Sequence, residues 1–134
     1  MTGFSEKIRR YLETQELCRL ATASKDGVPH VAALCYATDG ERIYISTSVE
    51  SRKGRNIREN RRVALIVDDF PGWLKERGVL INGEAEFVMS GELHRRARAL
   101  IYRKYPQWES SYPIEEGRDP ILVVTPRKVL PWNI

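Results

Sequence analysis

The sequence is poor in the residues that build metal sites and disulfide scaffolds. Among 134 residues it has two cysteines, Cys18 and Cys35, and two histidines, His30 and His94. The cysteines do not form a Cys-x-x-Cys pair, and neither histidine has a partner at metal-ligand spacing. We therefore expect no structural metal site and no disulfide. Each cysteine falls in a segment predicted to be a strand, where a free thiol is a small buried apolar group.

Long apolar runs are also missing, because the longest of them are only the length of a strand. The first residues lack the apolar core of a signal peptide and are typical of the start of a helix. We therefore expect a cytoplasmic protein without a membrane span. Charged residues make up 30% of the chain and hydrophobic residues 42%, which is typical of a soluble globular protein. The length predicts one domain over residues 1–134.

The chain has a mild basic excess, with 22 Lys and Arg residues against 18 Asp and Glu residues. Many of the basic residues lie in the segments 52–62 and 95–104. Such clusters attract an anionic small molecule or a nucleic acid, and a solvated helix face explains them equally well. Base stacking would need exposed aromatic side chains on a barrel face, and only Tyr36 and Tyr44 are placed for it. We therefore do not expect a nucleic-acid partner.

Alternating apolar residues and Asp-Gly turns predict a mainly β protein. The predicted strands are 17–23, 29–37, 42–48, 62–68, 78–89 and 121–125, with a short seventh at 129–132 after a break at Pro126. The predicted helices are 4–15, 54–60 and 91–104, the last capped by Ser90, and residues 105–119 are expected to form a loop. Gly83 is expected at a bulge. Hairpins in chain order exclude a βαβ unit and favour a small antiparallel barrel of six or seven strands with packed helices.

The most informative segment joins the third predicted strand to a short polar helix. Ser46 and Thr47 end the strand, and Ser51, Arg52 and Lys53 lead into the helix. We call these five residues the phosphate joint. A helix start offers free N–H groups and the positive end of its dipole, Arg offers a planar fork and Lys a mobile charge. The segment therefore predicts a site for a phosphate monoester.

The second predicted strand is apolar on both faces. One face is expected to fill the barrel interior: Val31, Ala33, Cys35 and Ala37. The other face carries His30, Ala32, Leu34 and Tyr36. Here Ala32 would leave backbone bare, so that a flat ring could lie on it and bond to main-chain groups. The alternative is that this face meets a second subunit or a helix. The two interpretations agree if the ligand lies between subunits.

Taken together, these features resemble the flavin-binding split-barrel family typified by pyridoxamine 5′-phosphate oxidase. The resemblance runs through residues 20–23, 26–30, 43–47, 51–53, 56–57, 60, 62–67, 79–86 and 125–132. It covers most of the chain apart from the first helix and the segment 105–119. The order and spacing of the motifs are more specific than any one of them.

The resemblance implies a split β-barrel that forms a homodimer with two FMN sites at the interface. In such proteins the basic pair and nearby hydroxyls hold the phosphate, which here are the residues of the phosphate joint. The flavin ring would rest on the second strand around His30, Val31, Ala32 and Ala33. The partner subunit would contribute Arg77, Gly78 and Val79, with Arg77 a candidate to stabilise the reduced ring. A C-terminal aromatic residue, Trp132, would border the pocket.

One departure from that family affects the expected activity. The oxidase itself has basic residues at the positions of Ala32 and Ala37, so we do not expect oxidation of vitamin B6. The leading hypothesis is an FMN-dependent oxidoreductase acting on an unidentified small molecule, with no catalytic side chain assigned. The alternatives are a deazaflavin, with Arg55 or Arg58 holding its acidic tail, or haem as the ligand. The third hypothesis is a protein that is not an enzyme, either a flavin carrier or a nucleic-acid-binding barrel.

Overall fold

The computed structural model describes residues 3–134, and Met1 and Thr2 lie outside the described part. In chain order the elements are α1 (Glu6–Thr14), β1 (Leu17–Ala23), β2 (Pro29–Cys35), β3 (Ala37–Thr38), β4 (Ile43–Ser46), α2 (Arg52–Glu59), β5 (Arg62–Asp69), β6 (Arg77–Val88), α3 (Glu92–Lys104), α4 (Trp108–Ser111) and β7 (Ile121–Trp132). The strands form one antiparallel sheet in the order β2-β1-β5-β6-β7-β4-β3. The curled sheet confirms the mainly β split barrel with packed helices.

Two apolar clusters stabilise this sheet from opposite faces. The first fills the inside of the curl, where Leu20, Val67 and Ile81 are fully buried and α1 and α2 add side chains from its ends. The second lies under α3, where Tyr44 and Ile101 are buried. Alternation along β4 supplies both clusters, since neighbouring strand residues point to opposite faces.

The predicted facing of the second strand is wrong. In β2, Ala32 pairs with Leu20 and Leu34 pairs with Cys18, and these residues point into the barrel. Val31 and Ala33 are exposed on the outer face instead. Both faces of β2 are apolar, so the pattern could not distinguish them, whereas the larger Leu34 fills the interior better.

The predicted continuous strand 29–37 is interrupted at Tyr36. The backbone N–H of Tyr36 donates to the Tyr105 hydroxyl at 3.1 Å, and that hydroxyl lies 2.9 Å from the Tyr36 carbonyl. The Tyr36 hydroxyl in turn donates to the Leu12 carbonyl. A long-range tyrosine thus takes the backbone groups of Tyr36 that a neighbouring strand would use, and β3 begins after it.

The predicted break at Pro126 is also wrong, because β7 continues from Ile121 to Trp132. The expected bulge at Gly83 is confirmed, since the register of β6 and β7 shifts between Asn82 and Gly83 and pairs Gly83 with Pro126. A Cβ on Gly83 would lie 2.3 Å from the Thr125 carbonyl oxygen. The bulge therefore provides the irregular position that a proline in a long strand needs.

Several other bounds differ from the prediction, among them β4, which ends at Ser46 rather than at residue 48, and α1, which covers Glu6–Thr14 rather than 4–15. The second helix begins at Arg52 rather than at residue 54. Gly91, with φ of 97°, precedes α3, and no side chain caps that helix, so the predicted Ser90 cap is wrong. The segment 105–119 contains the short helix α4. Within residues 3–134, no helix is both long and apolar enough to cross a membrane.

Candidate functional site

The phosphate joint begins with a capped helix. The N–H of Gly54 donates to the Ser51 hydroxyl at 3.2 Å, and that hydroxyl donates to the Ser48 carbonyl at 2.8 Å. A Cβ on Gly54 would lie 2.5 Å from the Val49 carbonyl oxygen, so glycine lets the first turn of α2 pack on the preceding loop. The sequence therefore fixes where this helix start lies relative to the end of β4.

The two cations of the joint have no internal partner among residues 3–134. Neither Arg52 nor Lys53 has a carboxylate oxygen within 4.0 Å. By contrast, Arg58 on the same helix lies 3.7 Å from the Glu50 carboxylate. Arg52 is exposed and Lys53 is partly exposed. Both charges are available to an anion beside the free N–H groups of the helix start.

The helix carrying these cations is held against the barrel by a buried polar contact. The side-chain amide of Asn56 donates to the Thr22 hydroxyl at 3.0 Å, and Ile57 enters the barrel core. His30 pairs with Thr22 across β1 and β2 and points to the same face. Its Nδ1 atom is buried and has no hydrogen-bond partner in the described part of the chain. His30 thus keeps one free ring nitrogen near the base of α2.

A tyrosine that sequence reasoning left without a role lies beside the joint. The hydroxyls of Ser46 and Tyr112 are 3.5 Å apart, and the Tyr112 ring packs edge-on against Trp108 at 5.1 Å between ring centroids. The Tyr102 hydroxyl donates to the Tyr112 carbonyl at 3.0 Å. Because Tyr112 is 66 residues from Ser46 along the chain, no local spacing signal could have found this contact.

The predicted partner residues lie at the start of β6. Arg77 forms a two-point ion pair with Asp69, at 2.8 Å from Nε to Oδ1 and 3.2 Å from Nη2 to Oδ2. Its guanidinium carbon lies 5.2 Å from the centre of the Tyr11 ring. Burial and the hydrogen bond to Asp69 raise the pKa of the Tyr11 hydroxyl, so it remains a donor. Arg77 is therefore a positioned charge rather than a mobile one.

Trp132 covers Gly78 on the outer face of the sheet. The two residues pair across β6 and β7, and a Cβ at Gly78 would lie 2.6 Å from the indole ring. Val79 is fully buried in the core, so only its backbone is available to a ligand. Glycine at position 78 thus leaves the space that the Trp132 ring occupies against the strand.

The predicted site residues divide into two groups at opposite ends of the sheet. The first group lies near α2, at the end of the sheet where β5 begins at Arg62, and it includes His30, which pairs with Thr22. The second group is Arg77, Gly78 and Trp132, and it lies at the end where β5 stops. Gly78 and Glu84 pair with the two ends of β5 and are six residues apart, which is about 20 Å along a strand. The fold of one chain therefore does not bring the two groups together.

A mostly apolar surface, in which the exposed Arg19 lies between Ala33 and Ile66, connects the two groups across the outer face of the sheet. Its residues follow the pairing of the strands: Val31, Ala33, Ala21, Ala64, Ile66, Leu80 and Leu130. We call this the outer apolar face. Val31 is 65% exposed and Leu130 is 44% exposed. Patches of this kind are typical of interaction sites.

The donor set at the joint fits a phosphate group. It combines a capped helix start, two cations without internal carboxylate partners and the hydroxyls of Ser46 and Thr47. β2 is an edge strand of the sheet. Among the described strands it pairs only with β1, so the backbone N–H and C=O groups on its other side are free to contact a ring. The fold defines a split-barrel protein whose α2 start carries a capping serine and two cations.

The comparisons give the family of this chain. A family model described as pyridoxamine 5′-phosphate oxidase matches residues 4–133. The chain belongs to that family. It is also 31% identical to the 5a,11a-dehydrotetracycline/5a,11a-dehydrooxytetracycline reductase of Streptomyces rimosus, over 98% of this chain and 84% of that protein.

Solved structures agree with this placement. The conserved hypothetical protein Rv2991 from Mycobacterium tuberculosis has a TM-score of 0.81 and is 26% identical, covering 98% of this chain and 86% of that one. An F420 reductase has a TM-score of 0.74 and is 26% identical, covering 95% and 98%. Two haem proteins, one of them a haem storage protein from Vibrio cholerae, are 15% and 19% identical, and at that distance they show the fold alone.

Proposed function

We propose that this protein is an FMN-dependent oxidoreductase that acts on a small molecule as a homodimer. The observation that carries the proposal is the pair of cations, Arg52 and Lys53, at a capped helix start with no carboxylate within 4.0 Å among residues 3–134. The family and the reductase relative support redox chemistry.

Each residue of the joint has a role in holding the cofactor phosphate. The guanidinium of Arg52 would pair with two phosphate oxygens and Lys53 would add a point charge. Ser46, Thr47 and Ser51 would supply hydroxyls, and Tyr112 stands within reach of Ser46. The free Nδ1 of His30 and the open backbone edge of β2, around Val31, Ala32 and Ala33, would meet the ring.

The dimer is proposed because one chain separates the two groups of site residues by about 20 Å. If two chains pair through the outer apolar face about a two-fold axis, the β6 start of one chain can meet the joint of the other. Arg77, Gly78, Val79 and Trp132 of the second chain would then complete the pocket. The separation of the two groups within one chain supports a site shared between subunits.

A bound flavin would supply the two-electron chemistry. The chain itself would orient the ring on β2 and exclude water from one of its faces with the partner's Trp132. Arg77, held by Asp69, would place a fixed positive charge near the ring and favour an anionic reduced form. No side chain of this chain is assigned as an acid or base.

A deazaflavin is the second candidate cofactor. Arg55 is exposed one turn beyond the joint, and Arg58 is exposed with only a 3.7 Å contact to Glu50. These two cations extend the positive surface of α2 beyond the joint and would be available to a longer acidic tail. The likeness to an F420 reductase supports this alternative, and the haem alternative has support from the fold alone.

Two matched double variants test the proposal and separate the cofactors. We expect Arg52→Ala/Lys53→Ala to abolish FMN retention, because each lost charge-assisted contact costs about 1.5–3 kcal/mol. Arg55→Ala/Arg58→Ala removes the same charge from the same helix and should leave FMN binding unchanged. Calorimetric titration with FMN and with F420 measures each affinity, and circular dichroism confirms the fold.

The outcomes of this experiment are distinct. Unchanged FMN affinity in the joint variant would overturn the site assignment. Loss of F420 binding in the Arg55/Arg58 variant, together with no FMN binding by the unmodified protein, would replace FMN by the deazaflavin. The absorption spectrum of the purified protein and mass identification of any released chromophore give an independent answer.

A further inference from the structure

A groove between α1 and α3, with β3 as its floor, lies apart from the site described above. Its volume is about 310 Å³, enough for a small organic molecule. Arg9 and Glu13 line it from α1, Thr38 from β3, and Arg103 and Lys104 from the last turn of α3. None of these residues belongs to the phosphate joint or to the start of β6.

The charges in the groove favour an anion. Arg9 is neutralised by Glu6 and Glu13, each at 2.8 Å. Within residues 3–134, neither Arg103 nor Lys104 has a carboxylate oxygen within 4.0 Å. Arg103 and Lys104 therefore line a cavity without carboxylate partners, whereas the third cation there, Arg9, is already paired.

Lys104 differs from an ordinary surface lysine in its surroundings. Its ammonium nitrogen lies 3.7 Å from the centre of the Tyr36 ring and 3.5 Å from the Leu12 carbonyl oxygen. Tyr105 lies on its other side, at 5.5 Å from the ring centre. Lys104 thus lines the groove, and its amine packs on the buried Tyr36 ring rather than pairing with a carboxylate.

This environment makes the amine more nucleophilic near neutral pH. Burial lowers the pKa of Lys104 to about 8, although four acidic or thiol groups facing it act in the opposite direction. These groups come from α1, the start of β1 and the end of β2: Glu13, Glu16, Cys18 and Cys35. At pH 8 about half of the Lys104 amines would be neutral, against about 0.4% for an ordinary lysine.

We propose that this groove binds a small anionic carbonyl compound and that the Lys104 amine forms an imine with it. Nζ attacks the carbonyl carbon, the carbon–oxygen double bond is lost and a carbon–nitrogen double bond forms. The oxygen leaves as water with the two amine protons. Arg103 attracts the carboxylate or phosphate of the ligand, so neutral carbonyl compounds of similar size bind less well. No oxidant or reductant takes part in this step.

Reductive trapping of the unmodified protein tests the proposal. The protein is incubated at pH 8 with glyoxylate and cyanoborohydride, which reduces an imine to a stable secondary amine, and adducts are located by peptide mass mapping. We expect Lys104 to be labelled at least about tenfold faster than the exposed Lys25 and Lys128. Propanal, a neutral aldehyde, should show a smaller preference for Lys104.

A variant at an exposed position checks the role of the charge. Arg103→Ala should slow labelling of Lys104 by glyoxylate several-fold without changing its labelling by propanal. Labelling of Lys104 no faster than Lys25 would overturn the imine. Equal selectivity for propanal and glyoxylate, or no effect of Arg103→Ala, would overturn the anionic ligand. The proposal does not depend on flavin binding, so the same experiment on cofactor-free protein should give the same result.

Discussion

The Asn56 side-chain amide donates a 3.0 Å hydrogen bond to the Thr22 hydroxyl, and both side chains are buried. This contact fixes α2, and with it Arg52 and Lys53, against β1. Thr22→Val keeps the side-chain volume but leaves a buried N–H without its partner, so we expect it to lower the free energy of unfolding by about 1–3 kcal/mol.

Urea unfolding measures this change, and a double-mutant cycle with Asn56→Ala isolates the contact. We expect a coupling energy of about 0.5–1.5 kcal/mol between the two positions. Additive effects of the two single changes would show that the hydrogen bond does not stabilise the protein.

Changes at Ser51 should separate helix capping from anion binding. Ser51→Ala removes the acceptor for the Gly54 N–H and should cost about 1 kcal/mol of stability. Ser51→Asp caps a helix about as well as serine does, but places a carboxylate beside the proposed phosphate. We therefore expect near-normal thermal stability with at least tenfold weaker FMN binding, measured by fluorescence titration. Normal FMN affinity in Ser51→Asp would place the phosphate elsewhere.

The outer apolar face should control assembly and flavin binding together. Val31 and Val28 are almost equally exposed, at 65% and 64%, but only Val31 lies on this face. We expect Val31→Asp to give monomers with weak FMN binding, because a buried unpaired carboxylate opposes association. Val28→Asp, in the preceding turn, should change neither property. Sedimentation velocity measures assembly, and a Val31→Asp dimer with full FMN content would contradict the proposed interface.

The bulge at Gly83 should tolerate no side chain. A Cβ there would lie 2.3 Å from the Thr125 carbonyl oxygen, so Gly83→Ala forces the two strands apart. We expect a loss of about 1–3 kcal/mol in unfolding free energy. Gly72→Ala is the matched control, since its Cβ would meet only the Lys75 side chain at 3.7 Å. Similar stability of the two variants in urea would show that the bulge adapts.

Acid stability should depend on Asp39. Burial alone would raise the pKa of this carboxyl, but hydrogen bonds from the Tyr44 hydroxyl and from two backbone amides, with the charge of Arg96, hold it below its usual value. The folded pKa is thus below the unfolded one, so the contribution is complete above the unfolded pKa and is lost as pH falls through the folded pKa.

Asp39→Asn should therefore lower stability by about 1–3 kcal/mol at pH 7. The difference from the unmodified protein should shrink as pH falls from about 4, near the unfolded pKa, towards the lower folded pKa, because the unfolded carboxyl protonates first. Urea unfolding at several pH values measures it. A difference that stays constant from pH 7 to pH 3 would exclude a contribution from the ionised carboxylate.

The sequence predicted the strands whose two faces differ and the turns that join them. β1 and β5 alternate clearly, and their bounds came out within one residue. The facing of β2 failed because alanine, valine and cysteine on one side and alanine and leucine on the other give no contrast. Pro126 by itself predicts a strand end, but Gly83 lies opposite it and the bulge there lets β7 continue.

The candidate site was predicted where its residues are neighbours in the chain. Ser51 caps α2, and Arg52 and Lys53 are its first two residues, so local rules apply to them. The contacts of Tyr112 with Ser46 and of Tyr105 with Tyr36 join residues more than 60 positions apart. Such contacts depend on the closed fold, and no periodicity or spacing in the chain encodes them.

The separation of the two groups of site residues has a genetic consequence. In the proposed dimer, each pocket takes its phosphate joint from one chain and Gly78 with Trp132 from the other. A chain altered at Lys53 and a chain altered at Gly78 would each be inactive alone. When both are produced in one cell, their mixed dimers would contain one pocket free of either alteration, so two defective alleles would complement each other.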